Sequence, residues 1–481
     1  MLKLHMTDRT LTADSLRLAA RDGCHWIPLV SLLLLACIAW AQQGGDTAKR
    51  VVQQFQVRGE ASGGPTAQAF KASERIDLNR PVLDARFAPT TGKEHGRIFP
   101  SIVAFPDEIA FYDTARRVLA RVPLDSTLHP GVSFSLGGRY AGVKTLLGDS
   151  ARLTVYDEKT APAPVSEIWY AEPEDWPGWL LSISDKDGLC VGVEAYFKMI
   201  GVYDAHGRVR RTRYLFGDSA HSQGNWGNVG AAFSGDGTRY LVVAAREFDP
   251  EGKRTPRDSP NVYAFLSDRE GNELWRRPLK GNLVEMACAL SAHGRFACAG
   301  YMRTAKGNGL LEAEVYLFNN SGRLIGTYSV AKPGQPYALQ CRFSPDEKYL
   351  VLANLERVEL IETGTGKVLW TRDFPWRFDP KRRTHSGVIV DRIIGVDVSD
   401  NAAAIALGTR LERGSRGDQP VHRLDVLGRS GESLLADYEV EGQDAALMDE
   451  GRSLVYVSRD GNEVWLRLRS GFHGFERKGR E

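Results

Sequence analysis

The residues with most chemistry to offer fall in a few segments. Residues 375–383, PWRFDPKRR, set Trp376 beside Arg377, Lys381, Arg382 and Arg383. Guanidinium forks next to an aromatic ring suit an anion or an acidic partner surface, although a solvated basic loop is the plainer reading. Residues 172–179, EPEDWPGW, are an acidic counterpart in which Trp176 and Trp179 could stack on a sugar or peptide, or simply pack at a strand edge. Trp226 stands near His221 and Asn225, a set too small and too spread to define a metal site. Asp185 and Asp187 have the opening spacing of a calcium loop, but no acidic ligand follows where such a loop needs one. No recognisable catalytic constellation joins these segments, and no cofactor is expected.

Composition narrows the function classes. Lys and Arg total 62 against 60 Asp and Glu in 481 residues, so no global charge argues for nucleic acid. With 42% hydrophobic residues and a mean hydropathy of −0.30, the chain reads as globular rather than disordered or polytopic. Beyond Cys24 and Cys37, four cysteines remain (Cys190, Cys288, Cys298, Cys341), too few for a disulfide scaffold.

The first 41 residues read as a signal peptide. Ile27–Trp40 is an uncharged apolar run of fourteen residues, preceded by Arg17 and Arg21 and followed by Ala39-Trp40-Ala41 before Gln42. A secretory core of roughly 7–15 apolar residues fits this run, whereas a spanning helix wants about 20. Export to a periplasmic or extracellular location is expected. Leu34-Leu35-Ala36-Cys37 also resembles a lipoprotein box, so membrane attachment is expected only if Cys37 is lipidated. Residues 42–73 read as a linker with one strand, Val51–Val57, available to close the domain that follows.

What must position the chemistry is a repeat. Phe343–Trp370, FSPDEKYLVLANLERVELIETGTGKVLW, reads as short β-branched and aromatic strands separated by tight turns. Aligning the chain on the apolar residue before the first turn gives Phe87, Phe134, Ile183, Phe233, Leu290, Phe343, Val398 and Met448, at spacings of 47, 49, 50, 57, 53, 55 and 50. The turns after them include SLGG, SDKDG, SGDG, SAHG, SPDE and SDNA. Two residues upstream stand Ala85, Val132, Leu181, Ala231, Cys288, Cys341, Val396 and Ala446, all small or apolar, as a crowded axis requires. Each unit ends in a second hairpin such as IGVYDAHGRVRR or VELIETGTGKVLW.

Four antiparallel strands per unit at this period specify an all-β fold, a β-propeller over residues 74–481, with eight blades favoured and seven open. An N-terminal strand is expected to complete the last blade. Cys288 and Cys298 flank one hairpin turn; core packing is the plain reading, and a bridge stays open in an oxidising compartment.

LIETGTGKVLW resembles the tryptophan-docking motif of quinoprotein-like propellers, and FSPDEKYLVLA is similar to the hairpin of bacterial WD40-like propellers. Trp169, Trp275 and Trp370 fit the docking position while other units carry Leu, Ile or Arg there, so the chain resembles a mixed, degenerate member.

The long insertions fall in the loops between second and third strands (246–261, 303–313, 409–422) and in the connections between units (172–179, 216–226, 373–387). These emerge on one face, where a rigid scaffold usually carries function. The resulting expectation is a monomeric, exported, non-enzymatic propeller that binds a protein, peptide or glycan through that face. Two enzyme classes stand as alternatives. A quinoprotein-type dehydrogenase is implied by the resemblance, and a propeller glycoside hydrolase or lyase would need charged residues over the channel. Arg86, Arg342 and Asp397, each immediately before an anchor, could meet there or be buried in pairs between blades.

Overall fold

A computed structural model describes residues 69–89, 98–125, 131–147, 150–171, 179–194, 199–204, 206, 208–214, 229–245, 262–279, 286–304, 311–329, 339–354, 357–374, 383–384, 387–388, 392–411, 421–440 and 454–479. The leader, the Val51–Val57 segment and the Met448 anchor lie outside them. The strands form eight four-stranded antiparallel sheets and one two-stranded ladder. Blades 1 to 7 follow the chain, each running from the axis outward; their innermost strands are Asp84–Pro89, Gly131–Phe134, Trp179–Ile183, Val229–Phe233, Met286–Leu290, Gln340–Phe343 and Arg392–Val398. Blade 8 is Val455–Val457, Glu463–Arg467 and Gly471–Arg477, with Phe70–Asp77 as its outermost strand. The fold is an eight-bladed β-propeller.

Apolar alternation on both faces of each blade makes the core. It is divided into eight clusters, each between two successive blades. One of them joins Tyr456, Trp465 and Phe472 of blade 8 to Ala85, Ile98 and Val103 of blade 1, so the ring is closed by packing as well as by a strand.

The first hairpin of most blades is built on a serine that follows the anchor. Ser135, Ser184, Ser234, Ser291, Ser344, Ser399 and Ser458 are all buried. In six of them the hydroxyl accepts the N–H five residues on, as from Tyr140 to Ser135 at 2.9 Å and from Ala404 to Ser399 at 2.8 Å. A buried hydroxyl that takes this N–H satisfies a donor which the turn would otherwise orphan. In the eighth blade Ser458 follows Val457, which is therefore the anchor of that blade.

Outer strands dock on the next blade. Trp275 lies against Gly322, where an added Cβ would stand 2.7 Å from the indole, and the Trp370 indole N–H donates to Arg429 O at 2.7 Å. In blade 5 the slot holds Gly326, and Tyr328 reaches across it to donate its hydroxyl to Gly366 O at 2.9 Å. In blade 3 Arg211 packs on Gly271 and bonds Asn272 Oδ1 at 2.5 Å. An indole, a phenol and a guanidinium thus do one job, because each offers a flat face and a donor.

The bridge between Cys288 and Cys298 is not formed; Cys190, Cys288, Cys298 and Cys341 are free. Cys288 pairs with Ala299 and Ala289 with Cys298, so the two side chains project from opposite faces of the sheet. Cys298 instead packs with Cys341 of blade 6. Burial pushes the Cys190 thiol up to about 12 and raises those of Cys288 and Cys298 as well. These four thiols are expected to resist maleimide in the native protein at pH 7 and to react fully in guanidinium; native labelling within minutes would contradict this packing.

Candidate functional site

Strand order sorts the connections between two faces. First-to-second and third-to-fourth hairpins share one face, and all other connections share the opposite one. The short hairpins are tied to one another. Gly137 N–H donates to Asp185 Oδ2 at 2.6 Å, Asp236 N–H to Ala292 O at 2.8 Å, and Asn401 N–H to Asp346 Oδ2 at 3.0 Å. Asp187 pairs with Arg269 of the next blade. The two aspartates with a calcium-like spacing are therefore joints between blades. Among the described residues no group of three His, Cys, Asp or Glu could hold a metal.

The long connections occupy the other face, with bounds that sharpen the sequence reading. Ala245 leads to Val262 and Leu411 to Val421, while Phe296–Thr304 and Leu311–Asn319 pair far enough to shorten their loop to 305–310. Sequence reasoning missed a further long connection, 441–454 between blades 7 and 8, because it set the last anchor at Met448. It also took every first hairpin as short, yet 90–97 in blade 1 is not.

Of the proposed binding residues, Trp176, Trp226, Trp376, Arg377, Lys381 and Arg382 lie outside the described residues. Trp179 opens the inner strand of blade 3, opposite Val193, at the long-loop end of that strand. Arg383 opens a two-residue strand, Arg383–Thr384, paired with Gly387–Val388 in the connection between blades 6 and 7.

The inner strands bring together residues that sequence spacing only hinted at. The position just before each anchor reads Arg86, Ser133, Ser182, Ala232, Ala289, Arg342, Asp397 and Tyr456. In blades 3, 7 and 8 this side chain reaches toward the next blade. Ser182 accepts Phe233 N–H at 3.3 Å, Asp397 Oδ2 accepts Val457 N–H at 2.8 Å, and Tyr456 donates its hydroxyl to Ala85 O at 3.0 Å. Arg86 lies over the Phe134 ring at 5.6 Å. Inner strands of neighbouring blades share no ladder, so such side chains satisfy backbone groups that would face the channel unpaired.

In blades 6, 7 and 1 the slot is charged, with Tyr456 between them in blade 8. Arg86 pairs with Asp84 at 3.2 Å, and the buried Arg467 lies 3.9 Å from the same carboxylate while donating to Leu83 O. Burial works against the Arg86 charge, but Asp84 and then Tyr456 hold its pKa above the ordinary guanidinium value. Burial raises the pKa of Asp397, opposed by Arg342, by the N–H groups of Val457 and Val398, and by Arg86. So Arg86, Arg342 and Asp397 do converge on the channel, and Arg86 is also paired. Both carboxylates already accept protein donors, which makes them supports of the wall rather than a free acid–base pair.

No family model and no curated sequence matches the chain. Among solved structures, the Dos1 propeller is similar at 8% identity and TM-score 0.45, covering 85% of this chain and 96% of that one. A eukaryotic initiation factor is similar at 13% identity and TM-score 0.39, covering 76% and 89%. Hydrazine synthase of Kuenenia stuttgartiensis is similar at 14% identity and TM-score 0.36, covering 63% and 80%.

Proposed function

We propose that the chain is an exported, non-enzymatic β-propeller, a degenerate relative of the WD40-like and quinoprotein-like propellers, that binds a protein, peptide or glycan through its long-loop face. The observation that supports this reading is the inequality of the two faces. One is a girdle of serine turns tied to one another by blade-to-blade hydrogen bonds. The other carries the long connections, and into them fall the basic segment 375–383 and the acidic 172–179. A rigid ring presenting variable loops is the arrangement of a recognition module. The apolar run at Ile27–Trp40 with its Ala39-Trp40-Ala41 exit supports export.

The test is crosslinking and capture from the native cell envelope, using the mature protein and a variant with 246–261 and 375–382 replaced by short Gly-Ser turns. A partner recovered by the first and lost by the second is the expected outcome. Equal recovery would move the site elsewhere, and repeated failure with both would overturn the reading. Mass spectrometry of the mature N terminus should find Gln42; a diacylated Cys37 would instead make the protein a lipoprotein.

A further inference from the structure

The charged slot residues lie at the short-hairpin end of the channel, since each immediately precedes the anchor at which the first hairpin begins. They are thus remote in topology from the long loops. The inner strands keep partial exposure at Arg86, Ser133, Ser182, Ala232, Ala289, Arg342 and Asp397, so solvent reaches this wall.

Arg342 stands out within it. Its strand pairs Arg342 with Val351, and its electrostatic neighbour is Asp397 of blade 7. Among the described residues its guanidinium has neither a hydrogen-bond partner nor an ion pair. Asp397 does not take that role, because its Oδ2 is engaged by Val457 N–H and no contact with Arg342 falls within ion-pair distance. Three guanidinium groups (Arg86, Arg342, Arg467) share this end of the channel with Asp84 and Asp397, and Asp185 of blade 3 adds its charge near Arg86. Blades 4 and 5 contribute only Ala232 and Ala289 at the same level, with Gly230 nearby, so these two blades offer no side-chain acceptor there.

We propose that this end of the channel is a carboxylate-binding site, with Arg342 as the primary contact and Arg86 as the second positive group. A guanidinium presents two parallel N–H groups matched to the two oxygens of a carboxylate, so a planar monoanion fits where a chloride ion would use only one donor at a time. The carboxylate belongs either to a small acid or to a peptide C terminus.

Titration calorimetry and thermal melts with acetate, triglycine and triglycinamide test this, at pH 7 and at ionic strength fixed with chloride. Saturable binding of acetate or triglycine, and none of triglycinamide, is expected. Acetate binding as tightly as triglycine marks a small acid as the source; tighter triglycine binding marks a peptide terminus. Arg342→Met should weaken binding at least about tenfold, and Arg342→Lys should recover only part of it, since charge returns without the fork. Asp397→Asn keeps an acceptor for Val457 N–H and removes a repelling charge, so it should bind several-fold more tightly. Far-UV circular dichroism and melts in chloride alone establish that each variant is folded. Unchanged affinity in folded Arg342→Met, or no saturable response in the wild type, would overturn the site.

Discussion

A chain beginning at Leu78 is expected to aggregate, whereas one beginning at Ala67 is expected to fold and melt like a longer chain beginning at Gln42. The difference is one strand. Phe70–Asp77 pairs with Gly471–Arg477 from Phe70 opposite Arg477 to Asp77 opposite Gly471, with one register shift between Ala72 and Glu74. The backbone at its two ends is held as well, with Ala69 N–H on Leu434 O and Leu78 N–H on Ser470 O. Without this strand the blade 8 edge presents an unpaired row of N–H and C=O groups, the template on which chains add to one another. Six of its eight side chains, Lys71–Arg75 and Asp77, are exposed, so the ladder and one anchor do most of the holding. That anchor is Phe70, 1% exposed among Leu434, Leu435, Val464 and Phe475. Phe70→Ala should cost about 3–5 kcal/mol. Lys71→Ala, on the same strand but exposed, should stay within about 0.5 kcal/mol. Urea unfolding followed by tryptophan fluorescence measures both. A soluble monomer with native stability from the Leu78 start would show that packing between blades 8 and 1 closes the ring by itself.

Glu347 should be the residue on the short-hairpin face whose loss is felt most. It occupies the turn position where four other first hairpins, three residues beyond the serine, have Gly138, Gly237, Gly294 and Gly461, all at positive φ; its own φ is 61°. A non-glycine residue there is strained. In those glycine turns the missing side chain would strike the preceding blade, as Gly237 would meet the Ser184 hydroxyl at 2.3 Å. Glu347 sends its carboxylate into that joint. It accepts the Ser291 hydroxyl and the His293 N–H at 2.6 Å each, and Arg295 Nε as well, with only 2% of the residue exposed.

Hydrogen bonds to a charged acceptor contribute about 1.5–3 kcal/mol apiece when buried, and Arg295 can rehydrate, so Glu347→Ala should cost roughly 2–4 kcal/mol. Glu347→Gly loses the same bonds but relieves the backbone, and should be less damaging than alanine by about 1 kcal/mol. Alanine equal to or better than glycine would refute the strain. The pH dependence follows. Burial alone would raise the Glu347 pKa, but the bonds from Ser291, His293 and Arg295 outweigh it and leave it below the ordinary value. A depressed native pKa means that its stabilisation is fully present above the unfolded value of about 4.3 and is lost as pH falls through the native one. The wild type should therefore lose more stability than Glu347→Gln between pH 6 and pH 3. Parallel pH profiles would count against the assignment.

Much of this architecture is legible residue by residue. The anchors from Phe87 to Val398 lie at the ends of real inner strands, and the serines after most of them proved to be the hydroxyls that close the hairpins. Those signals are local: a turn and the two strands beside it lie within a dozen residues, so period and turn chemistry report them directly. Trp275 and Trp370 could be placed in their docking slots for the same reason. Contacts between ends of the chain have no such local signature. Phe70–Asp77 is mostly polar, and its partner lies about four hundred residues away, so only ring closure identifies it. The last anchor was misplaced at Met448 because the connection 441–454 breaks the period. Cys288 and Cys298 looked like neighbours across a turn, but a one-residue difference in register puts them on opposite faces of the sheet. The charged channel wall is the clearest case. Arg86, Arg342 and Asp397 are separated by hundreds of residues or a whole blade, and each sits at an ordinary strand position. The sequence determined that like units of four strands follow one another; only bending them into a closed ring of eight decided which side chains meet at the axis, because every blade-to-blade contact is made between residues that their own strands hold apart.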